Sequence, residues 1–152
     1  MSMSGSVRRT AGVLAIDYGE KKSGFAVTDA LRIAFEPLEP VRSEGKDELV
    51  LEHVARLLAE RSIATVVVGL PLHMDGREGK SARRVRAFVT LLSARFPELA
   101  VRTWDERLTS KEAETRLHEA GERGKAIRAR RDSWSALVLL EDWVRSGEPS
   151  PP

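Results

Sequence analysis

The stretch Ala15-Ile16-Asp17-Tyr18-Gly19-Glu20-Lys21-Lys22-Ser23-Gly24 decides the fold, because an apolar run ends on a carboxylate that glycine follows almost at once. Val13 to Ile16 are strand formers with no charge to solvate, which predicts a central strand covered on both faces. Asp17 is then the first polar group as the chain surfaces. Gly19 and Gly24 permit a sharp turn and close approach of a ligand, while Lys21 and Lys22 put positive charge where phosphate oxygens would sit. The same residues read equally as a tight hairpin with an Asp at its turn, and taken alone they leave both readings open.

Outward from this stretch, Ser23 to Asp29 alternates and Arg32 to Val41 reads as a third strand with prolines near its end, so a three-stranded antiparallel meander is expected. Asp47 to Arg61 carries Val50, Leu51, Val54, Leu57 and Leu58 at helical spacing. Thr65 to Gly69 is a short β-branched run of the kind found in buried parallel strands. Ser81 to Phe96 predicts a second helix, Leu99 to Trp104 a fifth strand, Thr109 with Glu112 a capping box opening another helix, and Asp132 to Val144 a last helix with a broad apolar face. The order βββαβαβαα predicts an α/β fold, a three-layer mixed five-stranded sheet with helices on both faces. A chain of 152 residues is long enough for one well-buried core and short for two. The expected unit is a single domain over residues 11–145, between a disordered N-terminal extension, residues 1–10, and a disordered C-terminal tail, residues 146–152.

Composition narrows the chemistry. With 25 Lys and Arg against 23 Asp and Glu, net charge says little about partners. The absence of cysteine excludes disulfides, thiolate nucleophiles and thiolate zinc sites. His53, His73 and His118 show no ligand spacing, so a bound metal is expected to be hard and held by carboxylates, as Mg²⁺ or Mn²⁺ are. No apolar run approaches the length of a membrane span and the N-terminus lacks a signal-peptide core, which predicts a soluble cytoplasmic protein with no membrane partner.

Three acidic positions lie where a strand or helix meets a loop: Asp17, Glu106 and Asp132. In open α/β sheets the carboxyl ends of parallel strands form the ligand crevice, where Asp17 and Glu106 would be neighbours. Three carboxylates together need cations to neutralise them, the usual arrangement for two Mg²⁺ in phosphodiester hydrolysis. Each also has a plain structural role open to it. Asp132 would cap its helix, and Glu106 would pair with Arg107 at the surface. Gly69-Leu70-Pro71-Leu72-His73-Met74-Asp75-Gly76 is too apolar for an ordinary solvated loop and reads as a groove lining or as a rigid turn, with His73 the one histidine placed near a substrate. His53 and His118 are expected to be solvated. Lys80, Arg83, Arg84 and Arg86 form a charged helix face. Arg123, Lys125, Arg128, Arg130 and Arg131 accumulate with no intervening acid just before Asp132, where a nucleic-acid backbone would need to be gripped.

Together, Asp17-x-Gly-x-Lys21-x-x-Gly24, Ala26-Val-Thr-Asp29, Val68-Gly-Leu-Pro-Leu-His-Met-Asp-Gly76, Asp105-Glu-Arg-Leu-Thr109 and Asp132-Ser-x-x-Ala136 resemble, in order and over nearly the whole folded chain, the YqgF/RuvX family of pre-16S rRNA nucleases, once described as Holliday-junction-resolvase-like. The resemblance implies a ribonuclease H-like fold, metal-dependent phosphodiester cleavage in 5′-end maturation of small-subunit ribosomal RNA, and catalytic carboxylates at Asp17, Glu106 and Asp132. On that basis Asp17 is expected to bridge two Mg²⁺ or Mn²⁺ ions, with Glu106 and Asp132 each completing one. Lys21, His73, Arg128, Arg130 and Arg131 are expected to contact precursor rRNA or a pre-ribosomal particle. The chain departs from the family pattern at His73, where Asn is usual, and at Ser23, where an apolar residue is common. A non-catalytic RNA-binding assembly factor and a DNA four-way-junction resolvase are the alternatives. An actin-like ATPase would need a second domain of this kind.

Overall fold

The computed structural model describes residues 11–107 and 133–150. Strands β1 (Gly12–Asp17), β2 (Lys22–Thr28) and β3 (Phe35–Arg42) form an antiparallel meander, followed by helix α1 (Asp47–Glu60), strand β4 (Ile63–Leu70), helix α2 (Lys80–Arg95), strand β5 (Ala100–Asp105) and helix α3 (Trp134–Arg145). The sheet order is β3-β2-β1-β4-β5, with β4 parallel to both β1 and β5. This is the expected α/β three-layer mixed five-stranded sheet. Positions 109–112, read as a capping box, lie outside the described residues.

Strand parity divides the core in two, because successive side chains of a strand point to opposite faces. Leu14 and Ile16 of β1, Phe25 and Val27 of β2 and Val66 and Val68 of β4 pack against Val50 and Val54 of α1 and Val85 and Phe88 of α2. Val13 and Ala15, Ala26 and Val67 point the other way, onto Ala136, Leu139, Leu140 and Trp143 of α3. The alternation in β2 is therefore one of size, not polarity, since helices cover both faces. The small layer under α3 lets that helix lie close to the sheet. Asp17 shares the parity of Val13 and Ala15, which assigns it to the α3 side.

Helix α3 is fastened to the sheet at an irregularity. Between Ser23 and Phe25 the β2–β3 register shifts, with Ser23 opposite Val41 and Phe25 opposite Leu38. The buried Ser133 hydroxyl fills the gap, accepting the Phe25 N–H at 3.0 Å and donating to the Leu38 carbonyl at 2.6 Å.

Two boundaries differ from expectation. The third strand begins at Phe35 and not at Arg32, because the Asp29 carboxylate accepts the N–H groups of Ile33 and Ala34 in a closed turn and Arg32 adopts a φ of 59°. The hydrogen-bonded chain also continues past Arg145. Glu148 accepts Arg32 Nε and Nη2 at 2.9 and 3.1 Å, Arg32 Nη1 donates to the Ala11 carbonyl, and Trp143 Nε1 donates to Pro149 O. A tail that begins with Gly147 in a left-handed turn can fold back where a bidentate carboxylate partner waits. His53, expected to be solvated, instead packs its ring 4.8 Å from that of Phe25, with Nε2 buried and without a hydrogen-bond partner among the described residues.

Ser133→Ala leaves one buried donor and one buried acceptor unpaired and is expected to destabilise the fold by roughly 2–4 kcal/mol, measured by urea unfolding.

Candidate active site

Asp17 ends β1 between two glycines. Gly24 is its partner on β2, and continuing the Ile16–Val68 pairing by one step brings Gly69 of β4 beside it. Gly69 is paired in turn with Trp104 on β5, and Glu106, two residues beyond Trp104, shares its face. That face is the α3 side, where Trp104 packs and donates its indole N–H to Asp142 of α3 at 2.7 Å. The Glu106 carboxylate folds back over Gly69 so closely that Oε2 lies 2.3 Å from the point a Cβ there would occupy, with Leu139 Cδ2 at 3.3 Å from the same point. The site is thus built on a missing side chain: any residue but glycine at 69 would hold Glu106 away from Asp17.

The electrostatics follow from this packing. Burial pushes the Asp17 carboxyl up to about 6. Glu106 rises to about 7 through burial first, then through the charges of Asp17 and Asp105. Asp105 behaves oppositely. Its carboxylate accepts Arg107 Nε at 2.8 Å and Nη2 at 2.6 Å together with the Arg107 backbone N–H at 3.0 Å, and the guanidinium holds it below the usual carboxylate range. Arg107 therefore pairs with Asp105 and not with Glu106. Two hard oxygen ligands crowded in one half-buried place, both raised first by burial, fit a divalent cation such as Mg²⁺ or Mn²⁺. Among the described residues no group of three potential ligands occurs. Asp132 lies outside them, as do Arg128, Arg130, Arg131 and His118. Ser133 stands next to Asp132 in sequence and bonds Phe25, the neighbour of Asp17's partner Gly24.

Lys21 sits at the tip of the β1–β2 hairpin with its side chain exposed, while its carbonyl accepts the N–H groups of Ser43 and Glu44. Both readings of the opening stretch meet here, since the hairpin is tight and its Asp lies at the site. The buried Ser23 hydroxyl accepts the Gly19 N–H at 3.1 Å, which makes its departure from the family pattern a matter of turn closure. His73 lies on the β4–α2 loop with its imidazole against Gly79, where Nε2 is 2.2 Å from a notional Cβ. Arg84 and Arg86 of the charged helix face are bonded to Glu20 and Glu78, at 2.8 Å and at 2.8 and 2.7 Å. Gly69 and Ser133 had no side-chain role in the sequence reading, and Arg107 entered it only as a surface partner of Glu106. A glycine inside a β-branched strand signals a close approach, which is the one clue that pointed to the first.

A family model described as RuvX, Holliday junction resolvase, matches residues 11–146. The chain belongs to the RuvX family. A relative from Anaeromyxobacter sp. (strain Fw109-5), named "Putative pre-16S rRNA nuclease", is 42% identical over 131 residues, covering 86% of this chain and 94% of the relative. One of the same name from Dechloromonas aromatica (strain RCB) is 36% identical over 134 residues, covering 88% and 90%. Among solved structures, Thermus thermophilus RuvC in complex with a Holliday junction substrate superposes with a TM-score of 0.59 at 16% identity, covering 93% of this chain and 99% of that one. That likeness establishes the ribonuclease H-like fold.

The sign of the pH dependence follows from the two raised carboxyls. Both bind a proton more tightly folded than unfolded, where they titrate at about 4, so metal-free RuvX-family protein is expected to lose stability as pH rises from about 4 to about 7 and to change little above that. His53, held below its usual range first by burial, acts in the opposite sense, and comparison with Glu106→Gln isolates the site's share. Thermal melts in excess chelator should show the variant more stable than wild type at neutral pH, with the difference vanishing on acidification.

Proposed function

We propose that this chain is a divalent-metal-dependent nuclease that hydrolyses phosphodiester bonds in precursor 16S rRNA, maturing its 5′ end, and that it works in the cytoplasm on the precursor or on a pre-ribosomal particle. The observation that carries the reading is the convergence of Asp17 and Glu106 over Gly69. Family membership and the names of the relatives support it.

In this reading Asp17 and Glu106, deprotonated when loaded, hold Mg²⁺ or Mn²⁺ together with Asp132, which completes the set from the residue before Ser133. Bound there, such ions supply Lewis-acid polarisation of the phosphoryl group, a hydroxide nucleophile at neutral pH and charge neutralisation at the leaving 3′ oxygen. The chain's own contribution is positional. The bond from Ser133 to Phe25 fixes the start of α3 near the end of β1, and the bare Cα of Gly69 admits the Glu106 carboxylate. Lys21 at the hairpin tip and Arg128, Arg130 and Arg131 contact phosphates, orienting the strand without reading its sequence.

The family model's description favours one second reading, a DNA four-way-junction resolvase. Cleavage of precursor rRNA, a four-way DNA junction and single-stranded RNA with Mg²⁺ or Mn²⁺ separates the two. Asp17→Asn and Glu106→Gln are each expected to abolish cleavage of the favoured substrate while leaving the fold intact, and excess chelator to do the same to wild type. Wild-type rates in either variant would refute the assignment. Gly69→Ala should cut the rate about a hundredfold by displacing one ligand.

Replacing Arg128, Arg130 and Arg131 together by Ala should weaken nucleic-acid binding and flatten its salt dependence, the log–log slope falling by roughly one for every phosphate the variant no longer neutralises. Anisotropy titrations across a salt series measure it.

A further inference from the structure

The β4–α2 connection, residues 71–79, rises from the same end of the sheet as the carboxylate pair and is pinned at several points. Inside it, Leu72 and Glu78 form a β-bridge, the His73 N–H bonds Arg77 O at 2.9 Å, and Gly76, at a φ of 86°, closes the bend onto His73 O at 2.8 Å. On the helix side, Arg86 holds Glu78 through both carboxylate oxygens. On the site side, Arg107 Nη1 donates to the carbonyls of His73 and Met74, at 3.5 and 3.2 Å. The rest of the guanidinium grips Asp105, so one planar group joins the end of β5 to the loop. Its Nε, Nη1 and Nη2 all donate to protein oxygens, which suits it to holding the loop more than to meeting a phosphate. What the loop presents outward is an apolar tip, Met74 at 85% exposure, and the Arg77 side chain, 72% exposed with its Nε 3.8 Å from Asp75 Oδ2 in a loose surface pair. An exposed apolar group and a cation on one loop, next to a phosphodiester-cleaving site, suit a nucleic-acid strand: one meets a base and the other its phosphate.

We propose that Arg107 is a positioning residue for substrate: with Asp105 it clamps the 71–79 loop against the carboxylate pair, and the clamped loop forms one wall of the strand-binding cleft. The proposal rests on the nuclease reading for the identity of the ligand. Lysine cannot replace arginine here, because a single ammonium cannot reach the Asp105 carboxylate and two loop carbonyls in one plane.

The test uses the full chain and a 5′-labelled single-stranded RNA oligonucleotide, with cleavage followed in Mn²⁺ and binding followed by anisotropy in an Asp17→Asn background. Arg107→Ala is expected to raise KM and Kd about tenfold with kcat at saturation within about threefold, and Arg107→Lys to match it. Trypsin should cut after Arg77 faster in both variants, identified by peptide mass. Gly79→Ala approaches the loop from its other end. Gly79 has extended backbone angles that alanine adopts freely, so the added methyl acts by displacing the His73 ring. It should raise KM alone and add little in the Arg107→Ala background. Unchanged KM and Kd in Arg107→Ala, even with a lower melting temperature, would overturn the proposal, since the clamp would then serve stability alone. A fall in kcat at unchanged KM would overturn it too, by assigning Arg107 to the carboxylates. If wild type cleaves nothing but Arg107→Ala still binds the RNA more weakly, the nuclease reading fails and the positioning role stands.

Discussion

Two carboxyl groups pressed together over a bare Cα are the constraint around which this molecule is arranged. Burying Asp17 beside Glu106 disfavours ionisation of both, and each is raised well above its ordinary value, to about 6 and about 7. The carboxylate pair therefore costs the fold most at neutral pH and least in acid, where both groups hold their protons. The geometry leaves little freedom to relieve the strain otherwise. Glu106 occupies the space a side chain at Gly69 would fill, and Asp17 ends the strand at the centre of the sheet.

The surrounding structure bears this load through anchors at every element that reaches the site. Tyr18, next to Asp17 but of opposite parity, stacks on Phe88 at 4.5 Å and donates its hydroxyl to Asp47, which locks the end of β1 to α1 and α2. Trp104 ties β5 to α3 through Asp142, and Ser133 ties the start of α3 to β2 and β3. The β2–β3 irregularity belongs to the same scheme. By opening a gap in the ladder at Phe25 and Leu38, it creates a place where a helix-terminal hydroxyl can enter the sheet. A regular ladder would satisfy those groups internally and leave the start of α3 without this hydrogen-bonded tie to the sheet.

Much of this was legible in the sequence because it depends on parity and period. The run Val13 to Ile16 marked the central strand and helical spacing marked the two helices of one face, while strand alternation lets only one of Asp105 and Glu106 turn to the site. Which of them did so was not in the alternation. That choice came from family resemblance, and Asp105 instead closes on Arg107 two residues away. The third strand starts late because the Asp29 carboxylate closes a local turn over Ile33 and Ala34, whereas the folded-back segment after Arg145 and the packed ring of His53 were misjudged for a common reason. Each turns on one long-range partner: Arg32 with Glu148, or Phe25 with His53. Local propensity carries no trace of such pairs. Ser133 was hidden in the same way, since a serine before an apolar helix reads as a cap until the irregularity it fills is seen.

Arg107 shows how one residue can belong to two systems. Its bonds to Asp105 lower that carboxyl and so favour a negative charge next to Glu106, which adds to the push on Glu106. Its bonds to the His73 and Met74 carbonyls hold the loop that rises beside the same carboxylates. A single guanidinium thus couples the charge state at the floor of the cleft to the placement of its wall. Any change that frees Arg107 from Asp105 alters both together: the loop loses its clamp, and Asp105, no longer paired, is held less firmly in its ionised form. The Asp-Glu-Arg order at the end of β5 has a physical logic that neither carboxylate alone would supply. The first residue receives the guanidinium, the second is turned by strand parity toward Asp17, and the third reaches back across the strand end to the loop.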